Sequence, residues 1–297
     1  MAVASNQDPA LRQKRPPKWL EPLGLLFPGA FWLIGFLLIP TFLIFVKSLV
    51  PLGKQGFGIE NYQRVFENIG GNFIYLTVVA RSLGYAGITT FFCLLIGFPV
   101  AYWLAVIAPK RWQSLLLVMF VLPLWTSSLL RSYAWITILR PTGLLNSFLG
   151  LLGIHGINLL NKAEGVIIGM VYTFLPYMVL VLYTSLEKLD LRLLEAAADL
   201  GASSVQTFFK VTVPQVAPGI VAGSSLVLIS SFSDYINPHL LGGPASSMIS
   251  SLIELQFLGA SRDWGFGSAI SMVLILAVSI VIALVLKYGD RSVVSDG

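Results

Sequence analysis

Six stretches of this chain, residues 22–46, 82–109, 112–130, 165–186, 211–233 and 264–286, hold no charged side chain. A helix rises 1.5 Å per residue, so the first run alone reaches about 37 Å, more than the roughly 30 Å of a bilayer's hydrocarbon core. Runs of this kind predict six membrane-crossing helices, because a helix satisfies its backbone polar groups internally where no water can. Composition agrees: 56% of residues are hydrophobic and 11% charged, against about 25% charged in soluble domains. The expected fold is an all-α integral membrane protein. A cleaved signal peptide would have an apolar region of about 7–15 residues, so residues 22–46 are too long for one.

Where charge does occur, it orients the chain. The N-terminal tail, residues 1–21, carries Arg12, Lys14, Arg15 and Lys18; Lys110 and Arg111 separate the second and third runs; Lys287 and Arg291 follow the sixth. With six spans, those regions and the segment 187–219 share one side of the membrane. They hold eleven of the nineteen basic residues, which makes that side cytoplasmic and puts both termini there. Two further uncharged stretches, 141–161 and 235–253, are broken by glycine, asparagine or proline. A seventh span at 141–161 would place 187–219 opposite the basic tail, so both stretches are expected as external or re-entrant segments buried in protein. The net charge of +5 reflects the basic flanks rather than a nucleic-acid surface. The single cysteine, Cys93, lies inside an apolar run and permits neither an intrachain disulfide nor a cysteine metal cluster.

The longest charge-rich stretch between two apolar runs is 187–219, EKLDLRLLEAAADLGASSVQTFFKVTVPQVAPG. Leu186, Leu189, Leu193, Ala197 and Leu200 recur every three or four residues, predicting an amphipathic helix with one apolar stripe. Gly201 follows the last of them, where a left-handed C-terminal turn wants glycine. Ser203 and Gln206 have capping-box spacing and open a second short helix, which Pro214 and Pro218 should limit. A helix-turn-helix that binds DNA has similar spacing. Here the unit is tethered by spans at both ends and its second helix has little positive charge to meet phosphates.

Glu195-Ala196-Ala197, then three residues, Gly201, nine residues, and Val211-x-Val213-Pro214 resemble the EAA loop of ABC importer permeases. Valines stand where that family more often has isoleucine and leucine. The stretches LPLWTSSLLRSYAWITILRPTGLLNSFL, 122–149, and FSDYINPHLLGGP, 232–244, are similar to the spermidine/putrescine-type branch, and the likeness runs from about 23 to 288. The resemblance implies a type I ABC importer permease: a transmembrane domain at 22–288 between cytoplasmic tails at 1–21 and 289–297, in a bacterial inner membrane. It further implies four companions in the lipid bilayer's vicinity: a second similar permease, a dimer of ATP-binding subunits that holds ATP and Mg, and an extracytoplasmic substrate-binding protein. Glu195, Ala196, Ala197, Gly201, Val211, Val213 and Pro214 would form the element that docks on the ATPase. The cargo implied is a polyamine, with ferric iron, thiamine or a phosphonate as the alternative.

The chain has no Walker A loop of its own, since Gly53-Lys54 is followed by Gln55 and Ser48 stands at the first glycine position. His155 and His239 lack ligand-spaced companions, so no metal site is expected, and no serine sits in a nucleophile elbow. An embedded enzyme and an isolated channel are the two other function classes, and uptake that stops when a separate ATPase subunit is removed separates transport from both. Charges at membrane depth usually face the bundle interior or water; here these are Arg81, Arg131, Glu164, Asp234, Glu254 and Asp263. Carboxylates and aromatic faces suit a cationic amine. Asp234, Tyr235, Glu254, Trp125, Tyr133, Tyr172 and Tyr177 are thus the candidate solute path. The competing reading is an interfacial aromatic belt with a structural Asp234–Arg131 pair.

Overall fold

The computed structural model describes residues 20–53, 56–68, 73–154, 157–260 and 262–289. Every regular element among the described residues is helical. Five helices are long and apolar enough to cross a membrane, and a bent pair brings the number to six when counted as one broken span. His155, the basic residues of the N-terminal tail and Arg291 lie outside the described residues.

The first span comprises α1 (Leu20–Leu33) and α2 (Ile39–Ser48), joined by a π turn at Ile34–Leu38. A short helix, α3 (Glu60–Val65), leads to α4 (Ile74–Tyr102), which runs on through a π turn at Trp103–Ile107. The helix therefore begins eight residues before the charge-free run at 82, and it takes Arg81 with it. Arg81 can sit there because its guanidinium donates to the Ala245 carbonyl, while Ser82 Oγ accepts from the Ile249 N–H at 2.8 Å.

The third expected span is not one helix. α5 (Lys110–Val121) ends in a 3-10 turn at Leu122–Trp125, and α6 (Ser128–Leu139) departs at 90°. Pro123 has no N–H to give, and Thr126 and Ser127 take extended backbone, with ψ 151 and 134. α7 (Leu144–Leu151) follows. Its Leu144, Phe148 and Leu151 are exposed, so the expectation that 141–161 is buried in protein does not hold within this chain.

α8 (Ala163–Leu186) is the centre of the bundle, packed between α4 and α11 (Val213–Phe232). Met170, Met178, Val179 and Leu182 on α8 are fully buried, together with Cys93 and Ala101 of α4 and Val216 and Val227 of α11. Between α8 and α11 stand α9 (Leu191–Asp199) and α10 (Ser204–Thr207). Beyond α11, the chain forms α12 (Ile236–Leu241), a 3-10 turn, α13 (Ile249–Leu258) and α14 (Trp264–Gly289). This keeps the stretch 235–253 broken, as its prolines and glycines require. α14 packs on α2 and α13, and buried Asp263 joins its N-terminus to α3 by a 2.8 Å ion pair with Arg64.

Candidate functional site

The loop between α8 and α11 begins with Asp190, whose carboxylate accepts the Arg192 N–H at 3.0 Å and caps α9. Gly201 has φ +81, the left-handed turn its position demanded. Ser203 and Gln206 complete both bonds of the capping box, at 2.9 and 3.3 Å. Two expectations need correction here. The apolar stripe is not continuous: Leu186 and Leu189 enter the core, but Leu193 and Leu200 are exposed, and Leu194 takes the inward place on α9. Nor do Pro214 and Pro218 stop the second helix. It passes through a π turn at Phe208–Thr212 and continues unbroken from Ser204 to Phe232. A proline cannot donate to the carbonyl four residues back, and for Pro214 that carbonyl is Lys210, inside the wider π turn. Pro40 stands in the same relation to Phe36 in the first span.

α9 consequently shows two faces. Leu194 and Ala198 line a cleft of about 300 Å³ with Tyr102 and Phe208, and Phe208 packs edge-on against Phe98 of α4 at 5.4 Å. Leu191, Leu193, Leu200, Val205 and Phe209 point away from the chain. Glu195, Ala196 and Pro214 are exposed, while Ala197, Val211 and Val213 are half-buried. The outward apolar residues and the EAA residues thus belong to one exposed end of the molecule.

At the other end of α11 the sequence-derived path residues divide. Asp234 does not pair with Arg131. Its Oδ1 accepts the Ile236 N–H at 3.0 Å, and its Oδ2 accepts the Asn237 amide at 2.6 Å. Nε and Nη1 of Arg131 are buried without a hydrogen-bond partner. The structural pair offered as an alternative is thereby overturned. Asn237 is the hub that sequence reasoning missed: it is 1% exposed and also bonds Ser132 Oγ of α6 at 3.1 Å and Thr173 Oγ1 of α8 at 3.3 Å. A Cβ at Gly169 would run into Leu241 and stand 2.9 Å from Asn237 Oδ1, so glycine is what lets α12 lie this close to α8. The only local sign of this arrangement is an asparagine three residues after an aspartate.

Two clefts flank the network. One, of about 340 Å³, is lined by Arg131, Trp135 and Tyr172, the two rings meeting edge to face at 5.4 Å. The second, of about 350 Å³, is lined by Tyr235 and Glu254 between the end of α11, α13 and α14. Trp125 is 82% exposed at the bend before α6 and lines neither cleft; Tyr133 and Tyr177 are also exposed and line neither. The structure therefore brings Tyr235 and Glu254 together, places Tyr172 beside Arg131, and leaves Asp234 internally bonded.

The family model for "Binding-protein-dependent transport system inner membrane component" matches residues 30–293. The chain belongs to this family. Its fold is that of type I ABC transporter permeases, a non-enzymatic transport component of the inner membrane, and it crosses that membrane several times. The permease is 43% identical to the spermidine/putrescine transport system permease protein PotB of Haemophilus influenzae, over 84% of this chain and 88% of that one. It is 38% identical to the PotB of Escherichia coli strain K12, over 84% of this chain and 91% of that one. Among solved structures, a bacterial ABC transporter involved in import of the acidic polysaccharide alginate matches with TM-score 0.75, at 18% identity over 92% of this permease and 96% of that chain.

Proposed function

We propose that this permease carries polyamines of the spermidine/putrescine type into the cytoplasm, driven by a separate ATPase. The observation that carries this reading is identity of 38–43% with permeases of that name along more than four-fifths of the chain. The expected complex contains a second similar permease, two ATP-binding subunits holding ATP and Mg, and an extracytoplasmic binding protein. Both termini and the 187–219 loop face the cytoplasm, where basic residues concentrate.

The loop geometry supports a coupling mechanism. Exposed Leu193, Leu200, Val205 and Phe209 are apolar surface at a polar end of the molecule, suited to docking on the ATPase. Ser204–Phe232 is one helical rod of 29 residues, about 43 Å long. One end begins at the capping box and the other at Ser233, next to Asp234. A displacement of the loop on closure of the ATPase dimer would pass along this rod to the Asp234–Asn237 network. That network ties α6, α8 and α12 together, so the far side of the bundle would reopen as the loop moves.

Uptake of labelled spermidine and putrescine by cells expressing the whole system tests the reading. Uptake should stop when the ATPase subunit is removed, and excess ferric iron, thiamine or phosphonate should leave it unchanged. Strong inhibition by one of these solutes, or uptake that persists without the ATPase, would contradict it.

A further inference from the structure

Resting on the polyamine reading, we propose that Glu254, not Asp234, is the carboxylate that receives an ammonium group of the cargo, in the cleft between α11, α13 and α14. Asp234 has both carboxylate oxygens engaged by Ile236 and Asn237. Among the described residues, Glu254 accepts no bond of ordinary length. His239 Nδ1 lies 3.5 Å from its Oε2, and the Glu254 side chain is 27% exposed.

The walls of the cleft select the sign of the ligand. Ser233 Oγ donates to the Ile229 carbonyl at 3.1 Å and Ser271 Oγ to the Gly267 carbonyl at 2.9 Å. Ser250 Oγ donates to the Asp234 carbonyl. All three hydroxyl protons are thus spent on the backbone, and what the serines present to the cleft is lone pairs. A site of one carboxylate and three accepting oxygens suits a primary ammonium, which has three N–H donors and no acceptor, and disfavours an anion. Tyr235 also lines the cleft, an aromatic residue of the type that attracts a cation. Ile253, Leu258 and Leu274 fill the rest of the lining with apolar surface, which fits the methylenes between the nitrogens of a polyamine.

Depth supports the same assignment. Leu274 stands ten residues beyond Trp264 on α14, about 15 Å along the helix. The cleft therefore reaches about 15 Å along α14 from its N-terminal end. Glu254 lines the same cleft from α13, and a carboxylate within a membrane-spanning region faces water or protein rather than lipid.

The test uses the purified transporter with its second permease, ATPase and loaded binding protein in proteoliposomes. Glu254→Gln should lower labelled-spermidine uptake at least tenfold while binding-protein-stimulated ATP hydrolysis stays within twofold of wild type and complex yield is unchanged. Glu254→Asp, which keeps the charge, should recover a substantial part of the uptake. Unchanged uptake in Glu254→Gln overturns the proposal. So does a fall in complex yield that Glu254→Asp does not repair, because Glu254 would then be paired with another protein group. If the wild-type complex hydrolyses ATP but moves neither spermidine nor putrescine, the polyamine reading itself has failed, and the ammonium site with it.

Discussion

The Asn237 side-chain amide donates to Asp234 Oδ2 at 2.6 Å, and Asp234 makes no ion pair with Arg131. This bond closes the loop after α11 and anchors α12 to α6 and α8. Replacing Asp234 by Asn can set an amide N–H₂ against the Asn237 N–H₂ and removes the charge from the remaining bonds. The loss of one charge-assisted hydrogen bond is worth about 1.5–3 kcal/mol. Asp234→Asn should therefore lower the yield of assembled complex, and adding Arg131→Gln should not restore it. Full recovery in the double mutant, measured as complex eluting intact from a sizing column, would show that Asp234 and Arg131 are partners after all.

Gly201 isolates a backbone effect. A Cβ at this position would meet nothing within 4 Å, so only the φ of +81 resists substitution. Holding a non-glycine residue in the left-handed region costs roughly 1–2 kcal/mol, and least for asparagine. Gly201→Val should uncouple ATP hydrolysis from uptake while the permease still inserts in the membrane. Gly201→Asn should retain most of the uptake. Equal, near-normal uptake in both variants would mean that this turn does not carry the motion.

Arg64 and Asp263 should act as a clamp at the opposite end. Their 2.8 Å ion pair leaves Asp263 with 5% of its side chain exposed, and Asp263 Oδ1 also accepts the Phe266 N–H at 3.0 Å to cap α14. The Arg64 guanidinium lies 4.2 Å from the centroid of the Phe266 ring. Arg64→Ala strands a buried carboxylate and should lower the melting temperature of the solubilised complex by several degrees. Arg64→Lys should recover only part of the loss, because an ammonium is a point charge without the planar face that stacks on Phe266. A melting curve for Arg64→Ala that overlays wild type would remove the clamp from the account of stability.

Topology is testable with single cysteines in a Cys93→Ala background, since Cys93 is the only native cysteine and is buried. A cysteine at Ser203 should resist a membrane-impermeant thiol reagent in intact cells, whereas one at Glu67, exposed after α3, should react. Labelling of the Ser203 position from outside would invert the orientation.

Much of this architecture was written in residue type. Charge-free length located five of the spans, and Gly201, Ser203 and Gln206 marked a turn and a cap through local chemistry that needs no neighbour. What stayed hidden depends on tertiary proximity or on backbone adjustment. Pro214 reads as a helix stop until a π turn absorbs its missing bond. The break at Thr126 falls at Thr126-Ser127-Ser128, just after Pro123, inside a run whose lack of charge reads as one continuous span. Asp263 and Arg64 are 199 positions apart, and Asn237 gathers α6 and α8 from 105 and 64 positions away, so no periodicity could reveal either. Residues with a carboxylate were legible as candidates for a cation. Which of them was already satisfied required the hydrogen bonds.

Import itself is measured by filling proteoliposomes with ATP, incorporating the assembled transporter with its ATPase facing inward, and adding loaded binding protein outside. Labelled spermidine or putrescine should accumulate inside above its external concentration, and the accumulation should vanish when ATP is replaced by a non-hydrolysable analogue or when this chain is omitted. Accumulation that survives omission of this chain, or ATP hydrolysis stimulated by the binding protein with no polyamine entering, would contradict its role as the polyamine permease.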